Sequence, residues 1–193
     1  MEGQFQVDSN IIRTCILSHG RSGTLYTAMI LRSIGLDFGH EEDGTDGAIG
    51  GIFFHEKRYL DSYGQIFHQL RHPLKTISSS TTCKADSFKK VFREIGIDDI
   101  WEDEPLRRAM LSWIHYVKWA ERHSVWRYKI EDFPKIWPEL LFRMNVPRVE
   151  LPNLPVNINT RLHQSYTWND LMAADSELTK TIKDMAWRFG YEL

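Results

Sequence analysis

Two cysteines in 193 residues, Cys15 and Cys83, are too few for a disulfide framework or a cysteine-based zinc site. Cys15 lies in an apolar run and reads as buried, so nothing here demands an oxidising compartment. No apolar stretch approaches the roughly 20 residues of a membrane span. The first ten residues, Met1 to Asn10, are polar and hold no apolar core of signal-peptide length. These absences predict a soluble, cytoplasmic protein without a membrane span. Charge of one sign is lacking as well. Against 26 acidic residues stand 24 Lys and Arg, for a formal net charge of -2. That excludes a global basic field for nucleic acid but leaves room for a local anion pocket. No internal repeat or low-complexity tract occurs. What the chain has is aromatic residues: seven Trp, seven Tyr and ten Phe. Such content argues for a packed core over disorder. The length suits one domain spanning residues 1–193.

Ile11 to Leu17 reads as a buried strand, and Thr24 to Ser33 as a helix that Gly35 can end. Leu36 to Gly39 is a short second strand. Asp43 to Gly51 contains four glycines and two aspartates, which predicts a loop. Ile52 to His55 then returns toward the core. Gln65 to Leu70 is a further strand, and Pro73 opens a helix running to about Thr82. Phe88, Val91, Phe92 and Ile95 suggest a short helix. Leu106, Met110, Trp113, Ile114 and Val117 form the stripe of a long one. Ser124 to Ile130 reads as strand. Asp132 to Phe142 reads as a helix that Pro134 and Pro138 shorten or bend. Asn145 to His163 is a long connection, and a short helix around Trp168 precedes a final amphipathic one through Phe189. Strands alternating with helices predict an α/β fold: a three-layer sandwich around a mostly parallel central sheet.

Ligands in such folds bind beyond the carboxyl ends of the strands. Three polar clusters fall there: Ser18 to Thr24, His40 to Glu42, and Arg71 to Pro73. In the first, Gly20 and Gly23 permit close backbone approach, and the following helix N-terminus favours an anion. Arg21 adds a charge-assisted contact, and Ser22 and Thr24 add hydroxyls. The ATP-type loop, with its lysine before Ser or Thr, is absent. So is an aspartate closing an apolar strand to hold magnesium, and no metal is expected. The dinucleotide pattern GxGxxG is also missing.

Ser18-His19-Gly20-Arg21-Ser22-Gly23-Thr24 resembles the 5′-phosphosulfate loop of the sulfotransferases that use 3′-phosphoadenosine 5′-phosphosulfate (PAPS), a family with a P-loop-like nucleotide-binding fold. Arg71-His72-Pro73 with Ser79 resembles the family's 3′-phosphate segment, an Arg-x-Pro start with a serine eight residues after the arginine. Ile130-Glu131-Asp132-Phe133 resembles its Tyr-Glu-Asp-Leu segment. Gly20-Arg21 sits closer to the bacterial and Golgi carbohydrate branch than to the cytosolic one. The resemblance implies sulfuryl transfer from PAPS, as co-substrate, to a hydroxyl or amine of a carbohydrate or small metabolite. It implies His19, Gly20, Arg21, Ser22, Gly23 and Thr24 around one phosphate and Arg71 and Ser79 around the other. Arg21 would also stabilise the leaving phosphate.

Where the family carries an aromatic residue before Glu-Asp, this chain has Ile130. Tyr128, two positions earlier on the same strand face, could approach the adenine. Glu41 is favoured as the base, with His40 next, Glu42 behind them, and His55 as the option from the other side of the glycine-rich segment. Arg161 and His163 could supply late contacts. The chain is short for the family, so a second copy in a homodimer could help enclose a bulky acceptor. The rival readings are an ATP-dependent kinase-like transferase of the same fold class and a non-catalytic protein that binds phosphoadenosine nucleotides.

Overall fold

A computed structural model describes residues 11–51, 60–84, 86, 88–89, 104–154 and 162–193. Within them run five strands: β1 (Thr14–Leu17), β2 (Phe38–His40), β3 (Gly47–Gly50), β4 (Gln65–Leu70) and β5 (Trp126–Lys129). The helices are α1 (Thr24–Ser33), α2 (Pro73–Ser80), α3 (Pro105–His123), α4 (Phe133–Arg143), α5 (Trp168–Ala174) and α6 (Ser176–Arg188). A single turn of 3-10 helix, Ile130–Asp132, joins β5 to α4. The strands form one sheet in the order β2-β3-β1-β4-β5, and every pairing is parallel.

Helices cover both faces, which gives the expected three-layer α/β sandwich. Ile16, Ile49, Phe67 and Tyr128 pack with α1 and α4 on one side. Cys15, Leu17 and Ala48 face Tyr116 and Ala120 of α3 on the other, where Leu70 joins α2, α3, α5 and α6. A strand buried on both faces has no polar side to show, which is why β1 reads as an unbroken apolar run. Gly35, at φ 92, ends α1, with its N–H on Arg32 O and the Leu36 N–H on Leu31 O. α4 continues through Pro138 because Phe133, Trp137, Leu140 and Leu141 are buried along one face and hold it by packing.

The glycine-rich segment departs from the loop that the sequence suggests. Gly47 to Gly50 is an inner strand, paired to β1 on one side and β2 on the other. Its glycines answer to crowding. A Cβ on Gly47 would strike the Thr14 carbonyl, and one on Gly50 would sit 2.6 Å from a Glu41 carboxylate oxygen. Only six residues join β2 to β3, so the chain turns back sharply at Glu41, at φ 57, and runs close over β2. At Gly39 a side chain would collide with the Glu42 carbonyl, and at Gly44 with that of Asp37. Asp37 and Asp46 secure the return through hydrogen bonds to Thr45 and to each other's backbone.

Candidate active site

From β1 the chain order runs to β3 and β2 on one side and to β4 and β5 on the other. The carboxyl end of β1 is therefore the switch point of the sheet, where a crevice is expected. The 18–24 turn lies there. Arg21 takes φ 70 and Gly23 φ 83, so the backbone curls in the left-handed region immediately before α1. The first turn of α1 carries no acid, so no side chain of its own neutralises the helix N-terminus. A Cβ on Gly20 would meet nothing within 4 Å, whereas one on Gly23 would press on Ile130 at 3.2 Å. The Ile130-Glu131-Asp132 turn thus packs against the loop from β5.

The Arg71-to-Ser79 segment meets this loop directly. Arg21 Nε donates to Ser79 Oγ at 3.0 Å, and Arg71 Nη1 donates to the Arg21 carbonyl at 2.7 Å. Ser22 Oγ lies 3.4 Å from Thr76 Oγ1. Of the serines on α2, Ser79 is the one turned to Arg21. Ser78 accepts from the Tyr166 N–H, and Ser80 donates back to the Thr76 carbonyl. Lys75 faces solvent. Burial lowers the Arg71 pKa from its ordinary value, and the nearby Glu131 and Tyr191 act against that. Glu131 itself accepts from the His72 N–H and from the Tyr191 hydroxyl.

Two further side chains hold the loop, and neither was evident in the sequence. Gln69, on β4, donates from Nε2 to the Ser22 carbonyl at 2.8 Å. Its Oε1 accepts from the Thr27 and Tyr128 hydroxyls. Tyr116, on α3, accepts from the Ser18 N–H at 3.1 Å and donates to the Gly50 carbonyl at 3.0 Å, so it clamps β1 to β3. Burial, with the Glu41 charge adding to it, keeps its hydroxyl protonated. The one signal was that the strand carries polar residues, Gln65, His68 and Gln69, among its apolar ones. His19 is fully committed to this scaffold. Its Nδ1 lies 2.6 Å from the Gly20 carbonyl and therefore carries the proton, and its Nε2 accepts from Ser112 Oγ. Burial lowers its pKa to about 4, so the ring is neutral at pH 7.

His40 and Glu41 close the other side of the loop. His40 Nε2 lies 2.9 Å from Thr24 Oγ1. Glu41 turns the opposite way, and its Oε2 accepts from the Gly51 N–H at 3.3 Å. Burial lowers the His40 pKa, Arg32 lowers it further and Glu42 opposes this. Glu42 is exposed and pairs with Arg32.

No family model matches the chain, and no curated protein matches it. Among solved structures it is similar to the sulfotransferase domain from the curacin biosynthetic pathway. The TM-score is 0.53 at 14% identity, over 95% of this chain and 99% of that one. The chain has a sulfotransferase-like fold. It also aligns with mouse sulfotransferase SULT7A1 complexed with PAP, at a TM-score of 0.38 and 12% identity, over 94% of this chain and 66% of that one. That second likeness is too slight to argue from.

On this sulfotransferase-like fold the remaining expected site residues are spread out. Tyr128 is 4% exposed, packs on Trp126 and Phe133, and gives its hydroxyl to Gln69. It was expected to approach a nucleotide base, but its strand face is the one that α4 covers, and the ring lies in the core. His163 is exposed. His55 and Arg161 lie outside the described residues. Among the described residues no group of three His, Cys, Asp or Glu could hold a metal ion. None of their helices is long and apolar enough to cross a membrane.

Proposed function

We propose that the chain transfers a sulfuryl group from PAPS to a hydroxyl or amine. The observation that carries this reading is the joining of two anion grips through one residue. Arg21 reaches Ser79 with its side chain and Arg71 with its carbonyl. Two arginines on different segments, Arg21 beside the Ser79 hydroxyl and Arg71 on the Arg21 carbonyl, suit a nucleotide bearing two separated phosphates better than the single triphosphate of ATP. The absence of acids from the first turn of α1 supports an anion at that helix end.

PAPS would supply the sulfuryl group and a phosphate leaving group. The acceptor oxygen or nitrogen bonds to sulfur while the bond from sulfur to the 5′-phosphate oxygen breaks. Its electron pair leaves on adenosine 3′,5′-bisphosphate. Arg21 and the loop N–H groups stabilise that charge as it develops. The acceptor proton passes to Glu41, which stands at the carboxyl end of β2 beside the loop. Arg71 and Ser79 hold the 3′-phosphate and fix the donor in line.

The test is thermal unfolding with added nucleotide. Adenosine 3′,5′-bisphosphate should raise the melting temperature well beyond ATP or AMP at equal concentration. Equal shifts with all three, or none, would remove the donor from this reading.

A further inference from the structure

The contact between Thr24 and His40 has a direction that an anion would decide. Thr24 is the first residue of α1 and is 6% exposed. Its hydroxyl has one proton and two lone pairs, and a neutral imidazole has one N–H and one bare nitrogen. At 2.9 Å either atom could donate. If Thr24 gives its proton to His40, the hydroxyl turns lone pairs toward the loop and repels an anion there. If His40 Nε2–H donates to Thr24, the hydroxyl proton is left to point into the loop. An anion on the helix N-terminus selects the second arrangement. His40 Nε2, the nitrogen that meets the loop, then has no lone pair with which to accept a proton, and the bare nitrogen is Nδ1.

Resting on the donor reading of the 18–24 loop, we propose that His40 is a positioning residue that aims the Thr24 hydroxyl at the donor phosphate, and not a base acting through the nitrogen that faces the loop. Glu41 diverges from it toward Gly51 and is left as the proton acceptor. The side chains thus divide the work that the sequence could only assign to either. Around His40 the charged neighbours are Arg32 from α1 and Glu42 from the turn after β2. These two pair with each other and leave the imidazole to Thr24.

Binding of adenosine 3′,5′-bisphosphate, followed by calorimetry, tests this alongside steady-state turnover. His40→Ala should weaken binding about tenfold, the scale of one hydrogen bond to a charged ligand, and raise KM for PAPS more than it lowers kcat. His40→Gln keeps an N–H donor and should restore binding to within about threefold. Thr24→Val should cost at least as much as His40→Ala, and adding His40→Ala to it should cost nothing more. Undiminished binding in His40→Ala and His40→Gln, with transfer lost in both, would make His40 the base and overturn the proposal. If the unaltered chain itself fails to bind the bisphosphate, the donor reading falls and this inference with it.

Discussion

Arg21 Nε lies 3.0 Å from Ser79 Oγ, across 58 residues of sequence. The loop after β1 and the helix after β4 therefore meet through polar side chains at the switch point of the sheet, Ser22 and Thr76 beside Arg21 and Ser79. Arg21 also holds the left-handed backbone at φ 70, a conformation that costs a side-chain-bearing residue about 1–2 kcal/mol. Both Arg21→Ala and Arg21→Gly remove the guanidinium, but only glycine relieves the backbone. Without ligand, Arg21→Gly should melt about 2–8 °C above Arg21→Ala. Both should lose about 10²-fold or more in kcat. Equal melting temperatures by calorimetry would show that the loop relaxes out of this conformation.

Glu41→Gln should remove transfer and leave bisphosphate binding within about twofold, because the amide is neutral and of the same size. Turnover at the parental rate in that variant would move the base elsewhere, with His55 the next to test.

Gln69 satisfies three buried partners at once: the Ser22 carbonyl and the Thr27 and Tyr128 hydroxyls. Gln69→Leu leaves them unpaired, each at a cost of about 1–3 kcal/mol. We expect at least about 3 kcal/mol lost in urea unfolding, and weaker bisphosphate binding because Ser22 loses its tether. Tyr128→Phe, which removes one of these bonds, should cost about 1 kcal/mol. A Gln69→Leu loss no greater than that of Tyr128→Phe would contradict the network.

His19 and His68 set an acid limit. Burial lowers their pKa values from 6.5 to about 4 and about 3. Neither ring nitrogen of His68 has a hydrogen-bond partner among the described residues. Both rings bind protons more readily in the unfolded chain. Their contribution to stability is thus whole above pH 6.5 and is lost as the pH falls from there toward 4 and 3. The urea midpoint should drop between pH 7 and pH 5, and His68→Leu should make that drop shallower. An unchanged slope in His68→Leu would mean the ring is solvated.

Gly39→Ala should fail where most surface alanines succeed. The added methyl meets the Glu42 carbonyl, so the return from β2 to β3 must move and take His40 and Glu41 with it. Loss of transfer together with a lower melting temperature is expected. Full activity would show that the return can shift freely.

Much of the frame was legible because it follows from local chemistry. The limits of α1 and β4 match the sequence reading residue for residue, Pro73 opens α2, and Gly35 ends α1. The three polar clusters fall at strand ends because parallel strands put their loops on one edge. The glycine-rich strand was not legible. Gly47 to Gly50 has Ile49 as its one β-branched residue against two glycines, too weak a strand signal to read, and its glycines are required by Thr14, Phe38 and Glu41 pressing on it.

By itself the sequence determined the α/β alternation, the place of the 18–24 loop and the two arginine-bearing segments, since propensity, periodicity and turn chemistry act over a few residues. Tertiary structure decided which atoms meet. Ser79 instead of Ser78 faces Arg21, Tyr116 reaches Ser18 from 98 residues away, Tyr128 goes to the core, and His40 turns to Thr24 while Glu41 turns to Gly51. Such pairings depend on helix phase, strand order and the closeness of packed layers. Those quantities are fixed only when the whole core closes, because each hydrogen bond needs its partner within about 3 Å.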